Sequence, residues 1–310
     1  MKPFLFISII TLGLYSSGLK AQAPDTLRAK ATYSFSHVQD TNKRDQPYTE
    51  QMVLLLGRNA SVYVSMDKIV QDEQRKKMIE EQTKNMAPGG NFNLNLGSIK
   101  KTTRQELFQY AAEKKLITKQ NLVNNYLIEE ALPQISWKIS NETTVISGLN
   151  CQKATTHFKG RDYIAWFCQD LPFQTGPWKL NGLPGLIVEA YDTKKEVVFK
   201  FDGFEEVKNK APEPEKELPD GRVMRFSGLS GTEILKSQTI SLPKDAIKTS
   251  QKDYDRLQEA MKKDPAGFLN SAMAGSSANG KSGSIKIVSR PEGSTIKPAM
   301  NNPIELPENK

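Results

Sequence analysis

The chain has 310 residues, 37% hydrophobic and 8% aromatic, which fits one large domain or two ordinary ones and excludes a membrane channel and a wholly disordered polypeptide. Two histidines and two cysteines are too few to build a His- or Cys-ligated zinc site, an iron–sulfur cluster or a disulfide-knotted scaffold, so neither metal nor cofactor is expected. The 43 basic and 35 acidic residues leave a formal charge of +8. Its clusters, Arg75-Lys76-Lys77, Lys100-Lys101 and Lys114-Lys115, are interleaved with Glu and Gln rather than with exposed aromatics, which argues against a nucleic-acid partner.

Residues 1–21 have the layout of a secretory signal peptide: Lys2, an apolar run from Phe4 to Tyr15, then small and polar residues up to Ala21-Gln22-Ala23. About a dozen apolar residues are too few for a span that needs ~20, so the mature chain is expected to carry no transmembrane segment. Cleavage after Ala21 is preferred, because cleavage after Ala23 sets Pro24 against the scissile bond. It removes Lys2 and Lys20 and no acid, leaving 41 basic against 35 acidic residues, or +6. Export to the periplasm is expected, with the cell surface or the exterior as the alternatives.

Residues 22–270 read as one β-rich domain. Leu27, Ala29, Ala31, Tyr33 and Phe35 alternate with polar residues as in a half-buried strand. Met52, Leu54 and Leu56, then Val62, Val64 and Met66, continue an antiparallel meander across the Gly57-Arg58-Asn59 turn. From Asp67 a Glu/Gln/Lys/Met-rich run to Gln82 predicts a solvated helix, the start of an insertion over about 67–97. Strand alternation resumes from Glu106 to Ile128, with turns expected at Glu113-Lys114-Lys115 and at Lys119-Gln120-Asn121. It continues through Trp137, Ile139, Val145 and Ile146, and again at Val197, Phe199 and Phe201. Beyond a Pro- and Glu-rich break at 210–221, a short strand at 223–226 and a helix over 252–262 are expected. The Ser/Gly/Asn/Pro-rich tail, 271–310, is expected to be mostly disordered, with a weak strand at 285–288.

Cys151 to Cys168 reads as a hairpin turning at Lys159-Gly160. In a two-residue turn, opposed positions have a constant sum, which sets Cys151 against Cys168 and predicts a cross-strand disulfide in an oxidising compartment. The same register sets His157 against Asp162. A base and its orienting carboxylate would look like this, but no nucleophile is identifiable beside them, and a structural cross-strand pair is the competing reading. His37 sits at a polar strand end. Next, Gly176-Pro177-Trp178-Lys179 precedes Gly182-Leu183-Pro184-Gly185-Leu186-Ile187, whose Pro184-Gly185 fits the centre of a type II turn launching a buried strand. Pro184 lacks an N–H and no Lys-Ser/Thr pair follows, so this is an architectural corner rather than a phosphate cradle.

That run resembles the name-giving motif of the GLPGLI family, exported proteins of Gram-negative bacteria. Gly148 to Ala154, Gly160-Arg161, Tyr163 to Phe167, Leu171-Pro172, Gly176 to Lys179 and Asn302-Pro303-Ile304-Glu305-Leu306 are similar to its flanking pattern. The resemblance implies export and a β-rich fold, assigns no activity, cofactor or catalytic residue, and hints at outer-membrane transport proteins as partners. The expected fold class is α+β, mainly β: an antiparallel curved sheet or open half-barrel with few helices, offering a concave apolar surface. The expected function is a non-catalytic binding or chaperone-like module for a lipid, a peptide or an envelope protein. The alternatives are a hydrolase or modifying enzyme using His157 and Asp162, and a structural accessory of an outer-membrane complex.

Overall fold

The computed structural model describes residues 22–84, 100–208, 230–268 and 300–308. The signal-peptide segment, residues 85–97 of the expected insertion and the expected strands at 223–226 and 285–288 lie outside these residues.

In chain order the elements begin with β1 (Asp25–Thr26), β2 (Ala29–His37), β3 (Tyr48–Leu56) and β4 (Ala60–Ser65), followed by helix α1 (Met66–Lys84). Then come β5 (Glu106–Tyr110), β6 (Lys115–Asn121), β7 (Asn125–Ala131), β8 (Lys138–Ile146), β9 (Leu149–Phe158), β10 (Arg161–Cys168), β11 (Leu186–Asp192) and β12 (Val197–Glu206). The chain closes with α2 (Ser230–Ser237), β13 (Thr239–Ile240), β14 (Ile247–Thr249) and α3 (Gln251–Lys263). Twelve strands form one open sheet in the order β14-β7-β6-β5-β4-β3-β2-β12-β11-β10-β9-β8, while β1 and β13 pair separately. The sheet is antiparallel throughout except where β14 runs parallel to β7. The mainly β class is therefore as expected, as are the β2–β4 meander and the hairpin.

The hairpin turn follows from two left-handed residues, Lys159 (φ 52) and Gly160 (φ 68), whose twist matches that of paired strands. The second turn expected in the meander is displaced. Lys119, Gln120 and Asn121 lie within β6, and the chain reverses at 122–124 instead. Met66 likewise opens α1 rather than ending β4.

The central strands are buried on both faces, not half-buried. On β3, Met52, Leu54 and Leu56 face one core and Val53 and Leu55 face another. The second core exists because α1 and α2 cover that face: Ile69 and Ile234 pack there against Val64 and Phe108. A Cβ on Gly231 would stand 2.8 Å from Ile69 Cδ1, so the small residue lets α2 approach. Thus α1 is anchored at its first turns, while Val70 and Met78 remain exposed.

The first core lies on the other face of the sheet, and that face is covered by the chain itself. Trp178, Leu180 and Leu183 sit there among Tyr33, Tyr63, Tyr163 and Phe199, with Trp178 stacked on Phe199 (ring centroids 6.4 Å apart). Polar anchors fix this plug. Gln109 Nε2 donates to Trp178 O (3.0 Å), Tyr33 OH to Ile187 O (2.8 Å) and Trp137 Nε1 to Asn181 O (2.8 Å). The apolar sheet face expected to stand open is covered by residues of the Gly-Pro segment.

Candidate functional site

The corner that carries the plug is tighter than a type II turn. Gly185 N bonds Leu183 O (2.8 Å), a three-residue closure around Pro184, and Leu186 N reaches across to Leu171 O (2.9 Å) instead of closing on Leu183. Gly185 has φ 151, and a Cβ there would sit 2.1 Å from Cys168 O. Only glycine allows that approach. At Gly176 a Cβ would press to 2.7 Å from the Cβ of Ile187. Gly176 is thus explained by the Ile187 side chain against it, Gly185 by its approach to the Cys168 backbone, and Gly182 (φ 90) by conformation.

Cys151 and Cys168 occupy the rung next to Gln152–Phe167 in the β9–β10 register, as the constant-sum argument requires. Both are nevertheless free, buried thiols, and the expected disulfide is not formed. Burial pushes the Cys151 thiol up to about 11, and neighbouring Cys168 adds to the rise. The Cys151 S–H is directed to Leu149 O at 3.4 Å.

His157 and Asp162 face each other as predicted, with Nδ1 and Oδ1 2.7 Å apart. The other ring nitrogen, Nε2, lies 2.9 Å from Glu308 Oε2. Hydrogen bonds from Asp162 and then Glu308 raise the His157 pKa above its ordinary value. When protonated, the ring donates from both nitrogens and bridges the two carboxylates. The pair is exposed and, through Glu308, also holds the C-terminal segment.

That segment takes part in a dense, buried polar cluster. Residues 300–308, placed by the sequence in a disordered tail, run across the hairpin turn and the end of β2. Arg161, the first residue of β10, is only 4% exposed. Its Nη1 reaches Asp192 Oδ2 (2.7 Å) and Glu196 Oε2 (3.2 Å), its Nη2 donates to Asn302 Oδ1 and Pro303 O (2.7 Å each), and its Nε donates to Ile304 O (2.9 Å). The fixed fork of a guanidinium suits this many-sided role. Asp192 Oδ1 accepts the backbone N–H groups of Glu196 and Val197 (2.7 and 3.0 Å), so the β11–β12 turn is tied to the same cluster.

Burial pushes the Glu196 carboxyl up, but hydrogen bonds from Arg44, Arg161 and Asn302 outweigh it and hold the group below the usual carboxylate range. His37, expected at a polar strand end, is instead 4% exposed. Its Nε2–H donates to Asn302 O (2.8 Å), and burial holds its pKa below the ordinary histidine value. Glu305 joins Lys179 (2.7 Å) and Lys159 (3.2 Å). Burial raises its pKa, yet the two lysines bring it below the ordinary value.

Sequence reasoning placed His157, Asp162 and the corner, and missed the Arg161 cluster. The partners of Arg161 on the C-terminal segment lie 141 to 143 residues away, and no spacing rule links them. The one usable signal was that Gly160-Arg161 and Asn302 to Leu306 both belong to the resembling pattern. Among the described residues no group of three or more His, Cys, Asp or Glu side chains is arranged to hold a metal ion. No helix there is long and apolar enough to cross a membrane.

A family model described as a protein of unknown function, Porph_ging, matches residues 156–189, from the end of β9 through the corner into β11. No curated protein matches the chain. Two solved structures of PNGF-II, in P21 and C2 space groups, are similar at 13% identity and TM-scores of 0.45 and 0.46, each match covering 74% of this chain and 32% of the other. The chain spans about a third of the length of those structures.

Proposed function

We propose that this protein is an exported envelope module that holds a peptide or protein partner through the open edge strand β8 and carries out no reaction of its own. The observation that carries the reading is the contrast between the two edges of the sheet. β14 is three residues long and is followed at once by α3. β8 is nine residues long, has no buried residue and, among the described residues, pairs only with β9. Ile139 and Val145 on it are 45% and 66% exposed. An edge of this length presents unpaired backbone N–H and C=O groups to which an extended segment can add as a further strand, with flanking side chains giving specificity.

The covered sheet face leaves no open apolar surface there for a lipid, which favours the peptide or protein partner over the lipid. Export rests on Lys2, the apolar run and Ala21. The resemblance of Gly182 to Ile187 to the GLPGLI motif supports an envelope setting, with outer-membrane transport proteins as candidate partners. The same reading covers an accessory role in an envelope complex.

The test is recovery of the mature chain from its native envelope after mild cross-linking, beside the Ile139→Lys, Val145→Lys double variant. Charged edge residues block strand addition, so a stoichiometric partner lost from the variant, with an unchanged melting temperature, is the expected outcome. A partner retained equally by both chains, or none on either, overturns the reading.

A further inference from the structure

The contacts of residues 300–308 are those of a ligand in a recognition site. Asn301 N and Asn302 N each bond Gln39 O (3.1 Å), and Leu306 N bonds Lys159 O (3.0 Å). The Asn302 side chain, 4% exposed, is read at both ends. Its Nδ2 donates to Val38 O (2.7 Å) and Glu196 Oε2 (3.0 Å), and its Oδ1 accepts from Arg161. An aspartate would turn the donor into an acceptor facing two other acceptors, so the site distinguishes Asn from its isostere. Arg161 then takes the carbonyls of Pro303 and Ile304. A Cβ on Gly160 would lie 2.7 Å from both Leu306 O and Pro307 O, so the glycine is also what lets the segment lie down on the turn.

We propose that the Arg161 pocket is a peptide-recognition site for an extended Asn-Pro-Ile-Glu segment, filled here by the chain's own residues 300–308 and open to the same segment of a second copy. The chain between Phe268 and Met300 is long enough, at ~3.3 Å per residue, to reach on the order of 100 Å. The identical ligand can therefore be delivered from a neighbouring molecule, and exchange of an identical element is a low-cost route to association. This site lies at the hairpin turn, apart from the β8 edge, and the two readings stand or fall separately. A tethered segment meets its own site at an effective concentration on the order of millimolar, so a free peptide competes only where the resident segment is weakened.

The experiment titrates a fluorescent peptide with the sequence of residues 300–308 against the full-length chain and against the full-length Asn302→Asp chain, followed by anisotropy. Saturable binding at least ten-fold tighter to the variant chain is expected, with at least a ten-fold loss when the peptide itself carries Asn302→Asp. No binding to a variant chain that still unfolds cooperatively, or equal binding of both peptides, overturns the proposal. Should the variant chain fail to fold, the wild-type chain decides. Millimolar wild-type peptide must speed hydrogen exchange at the chain's own Asn302 and Leu306 amides, the Asn302→Asp peptide must not, and no acceleration overturns the proposal.

Discussion

Two polar clusters hold the same C-terminal segment, and they differ in burial more than in chemistry. At one end Arg161, Asp192 and Glu196 have side chains no more than 5% exposed. At the other, His157, Asp162 and Glu308 are 53%, 67% and 58% exposed. Both consist of one cation between two carboxylates at hydrogen-bond distance. In water such pairs are screened and entropically costly, whereas a buried charge stripped of its partner has nothing to replace it. The pair that the hairpin register made legible is therefore the weaker one, and the stronger one was hidden by chain separation.

The largest effect expected from this contrast is that of Arg161→Ala, which leaves the buried Asp192 and Glu196 without their shared cation and costs about 3–5 kcal/mol. Chemical denaturation read by tryptophan fluorescence checks it. A loss near that of a surface mutation would mean that the carboxylates find other partners and would break the comparison.

The smallest effect is that of His157→Gln, about 0.2–1 kcal/mol as for other exposed pairs, and its pH dependence sharpens the contrast. The pKa of His157 is raised in the folded chain, so its contribution is fully present below the ordinary histidine value of about 6.5 and lost as pH rises through the folded value. The pKa of His37 is lowered by burial, so the unfolded chain takes up that proton first and stability falls as pH drops below about 6.5. Stability curves of wild type and His157→Gln measured from pH 5 to 9 should therefore converge at the alkaline end. Curves that stay parallel would remove His157 from the account.

The β2–β4 meander, α1, the hairpin and α3 were legible because each is written in local periodicity and turn chemistry. The hairpin was legible to the rung, since Lys159-Gly160 fixes the register and with it the opposition of His157 and Asp162. The same register sets Cys151 and Cys168 on one rung, yet both thiols stand free in the structure. The covering of that sheet face was missed because the Trp178 to Leu183 plug belongs to no periodic element. Residues 300–308 were misread because composition reports the average of a tail, and Asn302 and Ile304 pack inside a stretch whose average is polar.

The central claim is that residues 300–308 are packed against the folded sheet and held there from Arg161. Amide hydrogen exchange resolved at Asn301, Asn302 and Leu306 tests it most directly, because their N–H groups bond Gln39 O and Lys159 O. The account predicts that these three amides exchange orders of magnitude more slowly than in a free peptide of the same sequence, and that Arg161→Ala releases them. Exchange at free-peptide rates in the wild-type chain would contradict it.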